Sequence, residues 1–236
     1  MKLFSDEDLV GLYGSSIFQA IPEEKYCHVF ACLKADKAAF EEGSILYGPG
    51  SSKKYAGILL DGIMEECLYD EEGNQVTLMR LQKGDVFGAE CSCSAELFSQ
   101  VYLRALTKCR IMTLDFSALL SEKTLTCPYR LQITANLLQE FAEQVTFLTM
   151  RIHILSQKRL RDKLKLYLGS LNRSEDGYAH IPLSRTALSE FLYADRSAVS
   201  RELSRMKAEG MIELYRNHVR IIEKNFHQEP ACCRGN

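Results

Sequence analysis

The chain has 236 residues, 46% hydrophobic and 25% charged, with a formal net charge of −2. This is a globular composition, long enough for two domains. No run of 18 apolar residues occurs, which excludes a membrane-spanning helix. The acidic opening MKLFSDEDLVGLYG lacks the apolar core of a signal peptide, so a cytoplasmic protein is expected.

The nine cysteines are then expected to be thiols. The small net charge hides a division. Residues 151–224 carry 15 Lys and Arg against 9 Asp and Glu, a net of +6, while residues 1–150 carry 13 against 21, a net of −8. A basic module joined to an acidic one suits a nucleic-acid reader coupled to another domain.

Residues 5–40 show mixed helical periodicity, with Leu9, Leu12 and Tyr13 and then Tyr26, Val29, Phe30 and Leu33. From Phe40 to about Leu120 the pattern changes. Eight of the fourteen glycines lie between 43 and 88, and short β-type runs alternate with turns: SILYGPG, YAGILLDG, IMEECLYDEEGN, QVTLMRLQKGD and VYLRALTKCRIMTLD. Glu71–Asn74 reads as a hairpin turn. Many short strands with regular turns predict an antiparallel barrel or double-sheet roll.

After Pro128 about thirty residues are helical. Leu131, Leu138, Val145 and Ile152 recur every seven residues. Thr134, Phe141, Leu148 and Leu155 recur between them. These are positions a and d of four heptads. A symmetric dimer follows if the seam meets a second copy; the alternative is one helix packed on its own domain. Gln157–Leu171 is a basic amphipathic helix, and DGYAHIPLS supplies a turn and a short strand.

The stretch LSRTALSEFLYADRSAVSRELSRMKAEG, ending at Gly210, predicts two short helices joined by a tight turn. Ser184 and Asp195 are their N-caps, and Gly210 is the stop. On the second helix Val199, Leu203 and Met206 share one arc. Arg196, Ser197, Ser200, Arg201 and Ser204 share another that has no acidic residue. An Arg/Ser face suits the DNA major groove, where Arg bonds both acceptors of a guanine edge; an ordinary surface helix is the plain alternative. MIELYRNHVRII then alternates around a polar Arg216-Asn217-His218 tip and predicts a β-hairpin, which completes a winged helix-turn-helix.

In this order of parts the chain resembles the cyclic-AMP receptor protein and fumarate-nitrate regulator (Crp/Fnr) family of bacterial transcription factors, from about residue 20 to residue 222. Three pieces carry the resemblance. They are the segment YAGILLDGIMEECLYDEEGNQVTLMRLQKGDVFGAE, with Gly62, Gly73, Gly84, Asp85 and Gly88 at turn positions, the long helix, and the helix-turn-helix with its wing. The resemblance implies an α+β fold: an N-terminal cyclic-nucleotide-binding-like double-sheet β-roll at 1–125, a dimerisation helix at 126–156 and a winged helix-turn-helix domain at 157–236. It implies a homodimeric, non-enzymatic regulator. The recognition helix would enter the major groove of a pseudo-palindromic operator, and RNA polymerase is a further partner that the resemblance allows.

Arg196 and Arg201 would contact bases or phosphates beside Ser197 and Ser200. Ser184, Arg185, Arg216 and Arg220 would hold phosphates. The fumarate-nitrate branch usually has Glu where Ser197 stands, so the half-site is expected to differ. Tyr193 stands where a turn glycine is common.

The effector site departs further from the family. Gly88-Ala89-Glu90 partly matches the Gly-Glu of cyclic-nucleotide binders. The Arg-Ser pair that holds the cyclic phosphate falls near Ser99-Gln100, where no Arg is present, and the adenine-bonding position falls near Gln144. Cyclic AMP is therefore not the expected effector, and a different small molecule is expected between the roll and the long helix.

Cys27 and Cys32 lack the third N-terminal cysteine of the family's iron–sulfur sensors, and the five histidines are scattered. Neither a cluster nor a metal is expected. Two rival readings remain: a redox-responsive regulator with a thiol switch at Cys91 and Cys93, and an adaptor that binds a protein partner instead of DNA.

Overall fold

The computed structural model describes residues 5–12, 14–51, 55–73, 75–93, 100–121 and 127–222. In chain order its elements are α1 (Asp6–Leu12), α2 (Tyr26–Cys32), β1 (Asp36–Phe40), β2 (Ile45–Tyr47), β3 (Gly57–Asp61), β4 (Met64–Tyr69), β5 (Gln75–Leu81), β6 (Val86–Phe87), α3 (Ala89–Cys93), β7 (Tyr102–Ala105) and β8 (Cys109–Thr113). Then come α4 (Arg130–Leu155), α5 (Leu160–Gly169), β9 (Tyr178–His180), α6 (Arg185–Leu192), α7 (Arg196–Ala208), β10 (Ile212–Tyr215) and β11 (His218–Ile221). The chain forms two units, 1–145 and 146–236, and the division falls within α4.

The first unit is the antiparallel double-sheet roll expected from the sequence. One sheet has the order β1-β8-β3-β6 and the other β2-β7-β4-β5. Strands β3 and β8 read as nearly continuous apolar runs because both of their faces are covered. Leu59, Cys109 and Ile111 join the core between the sheets, with Tyr47, Met64, Leu81, Phe87 and Leu103. Ile58, Leu60 and Met112 face a second core built by α1, α2 and the first half of α4, where Ile133 and Leu137 enter it.

Two features here differ from the sequence expectation. Asp36–Phe40 falls in the stretch read as helical but forms β1, an edge strand paired with β8 from Asp36↔Thr113 to Phe40↔Cys109. Its side chains are exposed or half-buried, so it lacks the apolar alternation that marks a strand. The run 101–115 is two strands, β7 and β8, with a turn at Leu106–Lys108. The hairpin between β4 and β5 is present, with Gly73 at φ +82°.

The second unit packs α5, α6, α7 and the three-stranded sheet β10-β11-β9 around Leu164, Leu168, Leu188, Val199, Leu203 and Met206. This is a helix-turn-helix with a β wing. The basic amphipathic helix is shorter than its sequence pattern, at Leu160–Gly169. The wing turn holds Arg216 and Asn217, and His218 already belongs to β11. No helix among the described residues is long and apolar enough to cross a membrane.

Candidate functional site

The surface of the helix-turn-helix is assembled locally. Ser184 caps α6 by accepting a hydrogen bond from the Ala187 amide at 3.1 Å, and Asp195 caps α7 by accepting from the Ala198 amide at 3.0 Å. Between them Tyr193 takes left-handed geometry (φ 48°, ψ 61°), the strained conformation its position implied. Its ring is exposed.

Val199, Leu203 and Met206 anchor α7 in the core. Arg161 of α5 clamps the helix from the side. It donates to Glu202 at 2.5 Å and to both oxygens of Glu209, at 2.6 and 3.0 Å. The carboxylates of Glu202 and Glu209 are thereby held by Arg161.

What remains on the opposite arc is basic and polar. Arg196 and Arg201 are exposed, and neither forms an ion pair among the described residues. Ser200 is half-buried beside them. Ser197 lies on the same arc, but its hydroxyl donates to Asp195 at 2.5 Å and so reinforces the cap.

Arg185 is half-buried at the start of α6, and burial pushes its guanidinium below the ordinary value. At the wing Arg216 is exposed, stands at φ +50° and lies 5.6 Å over the Tyr215 ring. Arg220, expected to hold phosphate, is exposed on β11. It pairs with Glu213 at 2.7 Å and lies 5.3 Å over Tyr178, whose hydroxyl also donates to Glu213. Those contacts hold the wing sheet together.

On α4 the heptad positions Leu131, Leu138, Val145, Leu148 and Ile152 form an exposed stripe, with Leu131 at 85% and Ile152 at 69%. Phe141 is only half-buried and packs partly on its own core, and Leu155 is half-buried. The opposite side of the helix, with Ile133, Asn136 and Leu137, is the one that faces the first unit's core. There the Asn136 amide donates to the carbonyls of Ile17 and Gln19.

The effector candidates scatter. Gly88 begins the turn into α3 at φ +66°, and a Cβ there would meet the Tyr55 carbonyl oxygen at 2.3 Å, so only glycine fits. Glu90 is half-buried on α3. Ser99 lies outside the described residues. Gln100 is exposed, and Gln144 donates to Glu140 at 3.1 Å.

Two inward groups were missed in the sequence. Tyr47 of β2 and Glu66 of β4 both stand opposite Leu103 of β7 and so share the inner face of their sheet. Burial and the neighbouring Glu90 push Glu66 up to about 7. Its neighbour Glu65 faces the other way, bonded to Arg104 at 2.5 Å and to Gln75 at 2.7 Å.

The thiols also rearrange the expectation. Cys91 and Cys93 are two apart on α3, a spacing that directs side chains away from each other. Cys91 donates to Glu90 at 3.5 Å. Instead Cys32, at the end of α2, contacts Cys127, and both line a cavity of about 570 Å³ with His28 and Asp115. Burial and the Cys127 thiol push Cys32 up to about 11. No group of three or more His, Cys, Asp or Glu among the described residues is arranged to hold a metal ion.

Comparison with known proteins gives two domain families. Residues 37–122 match the cyclic nucleotide-binding domain, and residues 158–225 match the Crp-like helix-turn-helix domain. No curated protein matches the chain.

Among solved structures it is similar to FixK2 from Bradyrhizobium japonicum, at 16% identity, with 82% of this chain and 96% of that one covered and a TM-score of 0.57. It is similar to CLP from Xanthomonas campestris, described as a c-di-GMP-responsive global regulator, at 15% identity, 85% and 99% coverage and a TM-score of 0.62. It is also similar to a CooA mutant from Carboxydothermus hydrogenoformans, at 18% identity, 82% and 85% coverage and a TM-score of 0.62. At such identities the likeness is one of fold. With a cyclic nucleotide-binding domain followed by a Crp-like helix-turn-helix domain, the chain belongs to the Crp/Fnr family of transcription regulators.

Proposed function

We propose that the protein is a homodimeric, cytoplasmic regulator that binds a pseudo-palindromic operator, under the control of a small effector held in the roll. The observation that carries this reading is α7. It is capped by Asp195, clamped by Arg161 and presents Arg196, Ser200 and Arg201 on one arc of the helix. Arg196 and Arg201 read bases, and Ser184, Arg185 and Arg216 hold phosphates. Two such helices enter successive major grooves about 34 Å apart, with the exposed stripe of α4 joining the copies. The effector acts by binding one conformational population better than the other. Selection of binding sites from random duplex DNA, at fixed salt, tests this reading. An enriched two-fold sequence supports it, and binding without enrichment overturns it.

A second reading is favoured by the Cys32–Cys127 contact. In a redox-responsive regulator these two thiols, rather than Cys91 and Cys93, would form a disulfide. Peroxide would accept the two electrons and two protons and leave as water.

A further inference from the structure

Strand pairing in the wing brings together two of the five histidines that the sequence scatters. His180 of β9 stands directly opposite His218 of β11 in an antiparallel pairing. The next pair along, Ile181 and Asn217, is joined by a bond from the Ile181 amide to the Asn217 carbonyl at 2.7 Å. Hydrogen-bonded and non-hydrogen-bonded pairs alternate along such a ladder. His180 and His218 therefore take the non-hydrogen-bonded position, where Cα atoms approach to about 4.5 Å and side chains lie closest.

Both rings leave the same face of the sheet. Their neighbours Ala179 and Val219 are buried in the core of the second unit, at 3% and 1% exposure, so the histidines alternate to the solvent side, where both are exposed. The ring centres are 5.2 Å apart and the ring planes are tilted by 58°. Neither imidazole forms a hydrogen bond among the described residues.

That spacing is the one a shared metal ion requires. A zinc-class ion takes imidazole nitrogen at about 2.0–2.1 Å in tetrahedral geometry, which holds the centres of two ligating rings about 5 Å apart. Imidazole suits Zn²⁺, Ni²⁺ and Cu²⁺, whereas Mg²⁺ and Ca²⁺ take oxygen ligands. The pair supplies two ligands, fewer than the three or four protein ligands of a catalytic or structural zinc, and no group of three is found among the described residues. It is thus an open, exchangeable site whose other positions go to water.

Two arginines lie near the pair. Arg220, next on the same face of β11, is bonded to Glu213 at 2.7 Å, and Arg216 lies over the ring of Tyr215, the residue opposite His218 on β10. Both are exposed, so salt screens their repulsion of a bound cation.

We infer that His180 and His218 form a two-ligand site for a divalent transition-metal ion of the zinc class on the exposed face of the wing. Strand β9 is a three-residue edge strand that joins the sheet through β11. The ion cross-links these two strands beside the turn of Arg216 and Asn217. The site depends on the wing sheet alone and not on what the wing touches.

The test uses the full-length protein, ¹⁵N-labelled at histidine and kept reduced, titrated at neutral pH with zinc sulfate and in parallel with magnesium sulfate. The ring resonances of His180 and His218 should move together along one saturating curve with zinc and stay in place with magnesium. His180→Asn should weaken the His218 response by roughly tenfold or more, and His218→Asn the His180 response likewise, because the second bond of a pair is intramolecular. Both positions are exposed, so neither change should disturb the fold. Separate curves for the two rings overturn the inference, as do equal responses to the two salts or a His218 curve unchanged in the His180→Asn protein. Zinc uptake by thiols that leaves both rings unmoved overturns it as well.

Discussion

Adjacent leucines on α4 should respond in opposite ways to the same truncation. Leu138 is 68% exposed, on the stripe with Leu131, Val145 and Ile152, whereas Leu137 is 5% exposed in the core of the first unit. Fully burying a leucine side chain is worth about 1.5–3 kcal/mol. About two thirds of that remains for Leu138 to gain against a second copy, roughly 1–2 kcal/mol per chain. The two-fold counts it twice, so Leu138→Ala should cost the dimer about 2–4 kcal/mol, a weakening of roughly 30- to 1,000-fold. The folded protomer should barely notice. Leu137→Ala opens a cavity instead and should cost about 2–5 kcal/mol of protomer stability while leaving protomer affinity nearly unchanged. Sedimentation equilibrium reads the first quantity and thermal unfolding of dilute protein the second. If Leu138→Ala leaves the association constant unchanged, or Leu137→Ala weakens it as much, the exposed stripe is not the dimer seam.

Arg201→Ala should cost about 1–3 kcal/mol of operator affinity, about 5- to 150-fold, and relax preference at one base pair, as read by fluorescence anisotropy on matched and mismatched duplexes. Arg220→Ala should leave that affinity within a factor of about two and lower the wing's stability instead, because its guanidinium is spent on Glu213. Acid should loosen the first unit through Asp8. Burial pushes this carboxyl up, but the hydrogen bond and charge of Lys37, with Ser5, outweigh it and hold it at about 2. Its contribution is therefore complete above pH 4 and lost as the pH falls from 3.8 through about 2; Asp8→Asn should flatten the stability curve in that window. Under peroxide, mass spectrometry should find a Cys32–Cys127 disulfide and none between Cys91 and Cys93; a Cys91–Cys93 bridge would refute the placement of the thiols.

The parts of the molecule that sequence foretold are those decided within a few residues. The caps at Ser184 and Asp195, the apolar arc of α7 and the turn at Gly73 depend on neighbours along the chain, and each is found where local rules place it. The parts that stayed hidden depend on partners far away. Strand β1 has a mixed, mostly exposed sequence and exists because β8, some seventy residues later, hydrogen-bonds to it.

Glu65 and Glu66 show the same limit at the candidate effector site. A strict period of two puts adjacent residues on opposite faces but does not say which face is inward. That choice is made by β7, which sets Arg104 opposite Glu65 and Leu103 opposite Glu66, and by the register shift after Glu66. Slipping β4 by one residue against β7 would break the Glu65–Arg104 pairing and turn Glu65, rather than Glu66, to the face of Leu103. Which of the two carboxylates faces the interior is thus written in strand pairing rather than in any motif.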